Sequence, residues 1–222
     1  MEAMISHEKK FIFFHVPKNG GTSVKQELKN YFHKDHYGFP HGDNGVISGC
    51  MARHIGFAFG LWYDEHHRRK QKFLTTEQWH EYFKFGFTRN PWDRAVSNWK
   101  FVDQRIPQPM KPRFDTFESY LEALPFDSGS ADSYHAMEQW KHLCDPNGKP
   151  LYDFVGRVEN LHEDFTKVCD RVGIEAPKSM RNMRQTKRYR DYRRYYTPKA
   201  FGMVNEIYAK DIEMWGYDYE GG

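Results

Sequence analysis

Phe11-Ile12-Phe13-Phe14-His15-Val16-Pro17-Lys18-Asn19-Gly20-Gly21-Thr22-Ser23 is the stretch on which the fold turns. Its opening run is short, almost continuously apolar and closed by proline, the pattern of a strand buried in a parallel sheet. Val24, Leu28, Tyr31 and Phe32 then recur at i, i+4, i+7 and i+8, one face of a helix. Between them lies a loop with two adjacent glycines. The unit reads strand, glycine-rich loop, helix.

The same grammar returns twice. Phe83-Lys84-Phe85-Gly86-Phe87-Thr88 reads as a strand and leads into Arg89-Asn90-Pro91-Trp92-Asp93-Arg94. Asn90 suits an N-cap, Pro91 the first helical position, and Asp93 complements the helix dipole. Ala95, Val96, Trp99 and Val102 continue that helix. A third unit runs from Tyr152 to Val158, with Asn160 as cap, Leu161, Phe165, Val168 and Val172 as stripe and Gly173 as stop. Strands alternating with helices predict an α/β fold with a central parallel sheet covered on both faces. Weaker signals lie between the units: a strand at Val46-Ile47-Ser48, and a short helix to Tyr82 capped by Thr75 or Thr76. Phe117, Tyr120, Leu121 and Leu124 look helical, as do Tyr134, Met137, Trp140 and Leu143. Thr197-Pro198 opens a last helix that Gly216 ends. With no repeat and no low-complexity linker, residues 1–222 are expected to form one domain.

Composition narrows the class. The 222 residues carry 33 basic and 30 acidic side chains, so no overall polyelectrolyte character points to a partner. Aromatic residues number 38 against 26 Ile, Leu and Val, so the core must be unusually aromatic. The nine uncharged residues from Ile55 to Tyr63 fall far short of the ~20 that span a membrane. From the polar start no signal peptide is expected, and three scattered cysteines without CxxC suit reduced thiols in a cytoplasm. Twelve histidines show neither HExxH nor matched Cys/His pairs, so no metal site is expected. Residues 178–199 hold nine Lys or Arg and one acid, with Tyr189, Tyr192, Tyr195 and Tyr196 among them.

The loops carry the chemistry. A helix N-terminus presents unpaired N–H groups and partial positive charge to phosphate. Gly20 and Gly21 let backbone approach the oxyanion, Thr22 and Ser23 add hydroxyls, and Lys18 adds a mobile charge just upstream. This is not a Walker A loop, because GxxxxGK[ST] is absent. Arg89 follows a strand directly, and Ser97 lies two helical turns along the same face, so the pair can grip a second phosphate. Two such sites at the ends of neighbouring parallel strands suit a nucleotide phosphorylated at its 3′ and 5′ positions.

His15 to Ser23 resembles the 5′-phosphosulfate loop of the sulfotransferases. Arg89 to Ser97 resembles their 3′-phosphate motif, with the usual spacing of eight. Gly156-Arg157-Val158-Glu159-Asn160-Leu161, Tyr208-Ala209-Lys210-Asp211-Ile212 and Trp215-Gly216-Tyr217 are similar to later landmarks of the carbohydrate-type branch. The resemblance covers nearly the whole chain. It implies a P-loop-NTPase-like three-layer fold and a soluble, bacterial-like enzyme. The donor would be 3′-phosphoadenosine 5′-phosphosulfate, used without metal on a hydroxyl of a small-molecule or carbohydrate acceptor. Lys18, Asn19, Gly20, Gly21, Thr22, Ser23, Arg89 and Ser97 would bind the donor, with Lys187 or Arg188 closing over its 3′-phosphate. Asn19 stands where threonine is more usual, and residues 38–78, where acceptor contacts belong, follow no family pattern closely.

Two other classes stay open on sequence alone. The Arg/Tyr stretch could bind nucleic acid, which leaves both loops idle. A kinase would use Lys18 and the glycines for ATP, but no Walker B acid is evident. For the catalytic base, histidine has the right pKa. His54 heads the apolar segment Ile55-Gly56-Phe57-Ala58-Phe59 between the two phosphate motifs, as in some carbohydrate sulfotransferases. A hydrogen-bonded structural histidine, another histidine, or Asp64 or Glu65 remain alternatives. Trp62, Tyr63, Trp79, Tyr134 and Trp140 suit stacking on an acceptor ring, or an aromatic core.

Overall fold

The computed structural model describes residues 2–32, 47–48, 61–63, 70–72, 75–104, 114–124, 131–180 and 189–221. His54, Lys187 and Arg188 lie outside them, as do Asp64 and Glu65.

The first strand of the predicted parallel set is β2 (Phe11–His15); β6 (Phe83–Thr88) pairs with it and β7 (Phe154–Arg157) pairs with β6, all parallel. Register puts Phe14 opposite Gly86 and Thr88 opposite Arg157. The carboxyl ends of three neighbouring strands therefore emerge side by side. The sheet also holds a strand that the sequence reading missed. β1 (Glu2–Ser6) folds back antiparallel on β2, pairing Ser6 with Phe11 and Glu2 with His15, and β3 (Ile47–Ser48) pairs antiparallel with its outer edge. Met4 and Ile5 of β1 lie in the apolar core, at 3% and 1% exposure, and they are adjacent. Two apolar residues pointing to opposite faces leave no alternating pattern to read. β4 (Leu61–Tyr63) and β5 (Lys70–Lys72) form a separate two-stranded ribbon.

Strand alternation sorts the core into two layers. Phe11 and Phe13 pack with Val24 and Leu28 of α1 (Gly21–Leu28), Phe85, Phe87, and Phe165, Val168 and Cys169 of α7 (Leu161–Val172). On the other face Ile12, Phe14 and Val16 meet Tyr82 after α2 (Thr76–Glu81), Leu143 of α6 (Trp140–Leu143), and Trp79 and Trp140 at the margin. Each fully buried aromatic or aliphatic chain contributes about 1.5–3 kcal/mol. A third cluster forms where the sheet ends. Trp92, Val96 and Trp99 of α3 (Pro91–Gln104) pack with Phe117 and Tyr120 of α4 (Phe117–Glu122), and with Val204 of α8 (Pro198–Ile207). Of the three clusters this one holds the most aromatic residues.

Local signals mostly resolve as chemistry dictates, but the stretch from Tyr134 to Leu143 falls in two short helices, Ala131–Ala136 and Trp140–Leu143. Thr75 caps α2 in a capping box with Gln78, Asn90 Oδ1 accepts from the N–H groups of Trp92 and Asp93, and Gly173 stops α7 in the left-handed region. Asn160 occupies the N-cap of α7 but makes no side-chain bond there. A 3₁₀ turn, Val158–Asn160, already feeds the helix, and the N–H of Leu161 bonds to Val158. The last helix is two. Tyr208 breaks it into α8 and α9 (Ala209–Trp215), and its buried hydroxyl donates to Ala136 O of α5 (Ala131–Ala136).

Candidate functional site

The loop after β2 is shaped by backbone strain and by a missing side chain. Lys18 holds φ at 69° and Gly20 at 70°, left-handed values that cost a lysine about 1–3 kcal/mol. A Cβ on Gly21 would lie 1.9 Å from Cδ2 of His15, so only hydrogen fits beneath that ring. His15 thus packs on the first turn of α1. Ser23 is buried and Thr22 half-buried in that turn.

The loop after β6 meets it through one face of α3. Arg89 Nη1 donates to Lys18 O at 2.8 Å and approaches Ser97 Oγ at 3.3 Å. Its Nε donates to Asp93 Oδ2 at 2.8 Å, and the ion pair closes to 2.6 Å through Nη2. One turn beyond Ser97, the Phe101 ring carries the Lys18 ammonium at 4.1 Å, a cation–π contact. Asp93, Ser97 and Phe101 recur every four residues, so a single stripe of α3 holds both cations. Lys18, Arg89 and Ser97 are therefore brought together, 71 residues apart in sequence for the two cations. The His135 ring lies 5.2 Å from that of Phe101, which places a second histidine beside this cluster.

Beneath the cations runs a buried polar frame. Asn19, 1% exposed, turns inward and donates through Nδ2 to Phe87 O at 2.7 Å and to Gln139 Oε1 at 2.6 Å. Its side chain thus supports the loop and does not face outward with Lys18. Arg94, 2% exposed, donates to Pro17 O at 3.1 Å and to His135 O at 3.0 Å. Glu159 accepts the N–H of Asn90 at 2.7 Å, and burial raises its carboxyl above the ordinary range. Asp211, fully buried, accepts the N–H groups of Gln139 and Trp140 at 2.8 Å each. Burial pushes its pKa up to about 6, although those two bonds and Arg94 oppose the shift.

Sequence reading did not single out Gln139 or Arg94. Arg94 stands inside the Arg89 motif and Asp211 inside a late landmark, so a signal existed for those two. Gln139 precedes a four-residue helix and has none.

The basic tail splits as chemistry suggests. Tyr192 is 7% exposed and its hydroxyl meets Asn90 Nδ2 and Tyr219 O, while Tyr196 donates to Trp92 O at 2.9 Å. Tyr189 stands out at 56%. Two of the four tyrosines are thus fixed in contacts with the start of α3. Trp79 and Trp140 pack against the sheet, and Tyr134 packs edge-on to His142. Among the described residues no helix is long and apolar enough to cross a membrane, and no cluster of three or more His, Cys, Asp or Glu could hold a metal ion.

An uncharacterized protein of Archaeoglobus fulgidus is 31% identical over 100 residues, covering 42% of this chain and 69% of its own length. No solved structure shows a significant match. Residues 1–218 match the profile of the sulfotransferase family, nearly the whole chain, and the protein belongs to that family.

Proposed function

We propose that this sulfotransferase takes its sulfuryl group from 3′-phosphoadenosine 5′-phosphosulfate and passes it to a hydroxyl, most fittingly of a carbohydrate. The observation that carries the donor assignment is the meeting of Lys18, Arg89 and Ser97 on one stripe of α3. Two anion-binding loops at adjacent strand ends match a ligand with two separated phosphates, and the hydrogen-only space at Gly21 lets backbone N–H groups approach one of them. Arg89 and Ser97 bind the 3′-phosphate, joined by Lys187 or Arg188. The loop from Lys18 through Asn19, Gly20, Gly21, Thr22 and Ser23 holds the 5′ side.

In the transfer, the acceptor oxygen bonds to sulfur as the bond from sulfur to the bridging phosphate oxygen breaks. Adenosine 3′,5′-bisphosphate leaves with the electron pair. Lys18 favours that state because negative charge grows on the leaving oxygens. The acceptor proton passes to a base, for which His54 is the proposed residue. His135 is the second candidate, because its ring shares Phe101 with Lys18.

Thermal unfolding with adenosine 3′,5′-bisphosphate, ATP and an oligonucleotide tests the donor. A specific ligand at 100 times its Kd stabilises by about 2.7 kcal/mol, and only the bisphosphate is expected to do so. A salt-sensitive shift with oligonucleotide and none with bisphosphate would overturn the proposal. Screening hydroxyl acceptors with labelled donor then tests the carbohydrate assignment.

A further inference from the structure

Two loops that hold one ligand at two points gain most when their separation is fixed, because the second contact then becomes intramolecular. In this protein Arg89 and Arg94 reach from the second loop and the helix after it to carbonyls of the first, and a third side chain, from outside both, joins the two. Gln139, 0% exposed, accepts through Oε1 from Asn19 Nδ2 at 2.6 Å and from the N–H of Arg89 at 2.8 Å. Its Nε2 donates to Arg89 O at 2.9 Å. Both backbone polar groups of Arg89 are therefore held by the same amide that holds the neighbour of Lys18.

The amide is itself anchored. Asp211 receives the N–H of Gln139 through one carboxylate oxygen and that of Trp140 through the other. Gln139 cannot swing aside without leaving buried donors and acceptors unmet. Asn19 has a second tether to Phe87 O, in the strand that delivers Arg89. This is a rigid strut between the two loops, and it touches neither cation's charged group.

We propose that Gln139 is the positioning residue that sets the register of the two phosphate loops, so that the two phosphates of one nucleotide are recognised as a pair. The inference rests on the donor assignment above. A ligand with one phosphate engages one loop and is indifferent to their separation. A ligand with both phosphates is sensitive to it.

The experiment is calorimetric titration of adenosine 3′,5′-bisphosphate and adenosine 5′-monophosphate into the wild type and Gln139→Leu. The readout is the ratio of the two affinities, which general loosening of the fold would leave unchanged. In Gln139→Leu the preference for the bisphosphate should fall about tenfold, while monophosphate affinity stays within about twofold. Gln139→Glu keeps the accepting oxygen and loses the donor to Arg89 O, and should lower the preference by roughly threefold. It carries the test if the leucine variant does not fold. An unchanged ratio in a folded variant, or equal weakening of both ligands, overturns the role of Gln139. A wild type that does not prefer the bisphosphate overturns the donor assignment, and this inference with it.

Discussion

The ammonium of Lys18 rests 4.1 Å from the centre of the Phe101 ring, one helical turn beyond Ser97 on α3. The ring holds that ammonium by a cation–π contact, and Asp93 holds Arg89 by an ion pair. A cation so placed is suited to charge that appears only during reaction. Lys18→Ala should lower turnover by roughly 10²–10³ while changing bisphosphate affinity far less. Steady-state kinetics and titration of the same variant decide it, and wild-type turnover would remove Lys18 from the mechanism.

The left-handed backbone at Lys18 makes a separate forecast about stability. Glycine adopts φ near 69° freely, whereas alanine does not. Lys18→Gly should therefore be more stable than Lys18→Ala by about 1 kcal/mol, with both equally poor in turnover. Denaturant midpoints of the two variants give the answer. Equal midpoints would mean that the loop relaxes out of the strained conformation.

Arg89 and Ser97 should affect binding. Their proposed target, the 3′-phosphate, does not change charge during transfer. Arg89→Ala should weaken the bisphosphate by about 2–4 kcal/mol, and Ser97→Ala by about 1 kcal/mol. Wild-type protein that binds the 3′-dephosphorylated nucleotide equally well would contradict the assignment.

A methyl group at Gly21 must displace the His15 ring. Gly21→Ala should cost about 1–3 kcal/mol of stability, as overpacking does. The double variant with His15→Ala should regain most of it, because the clash and its relief share one space. Melting curves of the four proteins form the cycle. Additive losses would show that the ring is not the obstacle.

Asp211 binds its proton more tightly folded than unfolded, because burial lifts its pKa from 3.8 to about 6. Its contribution to stability is fully present below about pH 4 and is lost as pH rises through about 6. Asp211→Asn cannot titrate. Relative to that variant, the wild type should lose stability between pH 4 and pH 7. A stability difference that stays constant over this window would refute the shift.

Comparison of two histidine variants assigns the base. His54→Ala should lower turnover by roughly 10²–10⁴ with bisphosphate affinity intact, and should remove the acidic limb of the pH–rate profile. His135→Ala should leave that limb in place. The reverse outcome transfers the role to the histidine beside Phe101.

Local chemistry was enough to place the strands β2, β6 and β7, the helices that follow them, and the loops that join each strand to its helix. Each depends on residues within a few positions of one another: an apolar run, a cap, a glycine pair. Even the meeting of Arg89 with Ser97 was legible, since eight residues make two turns of one helix and return to the same face. The strut was not. Asn19 and Gln139 are 120 residues apart, and Gln139 and Asp211 are 72 apart. Which buried donor meets which acceptor at such separations is settled only when the sheet, α6 and α9 pack and exclude water. A glutamine before a four-residue helix has no periodicity to announce it. The pairing of β1 was decided in the same way, by an open sheet edge and not by its own pattern. The sequence determined where each loop lies and which side chains it carries, and the tertiary packing decided how firmly the two loops are held to each other.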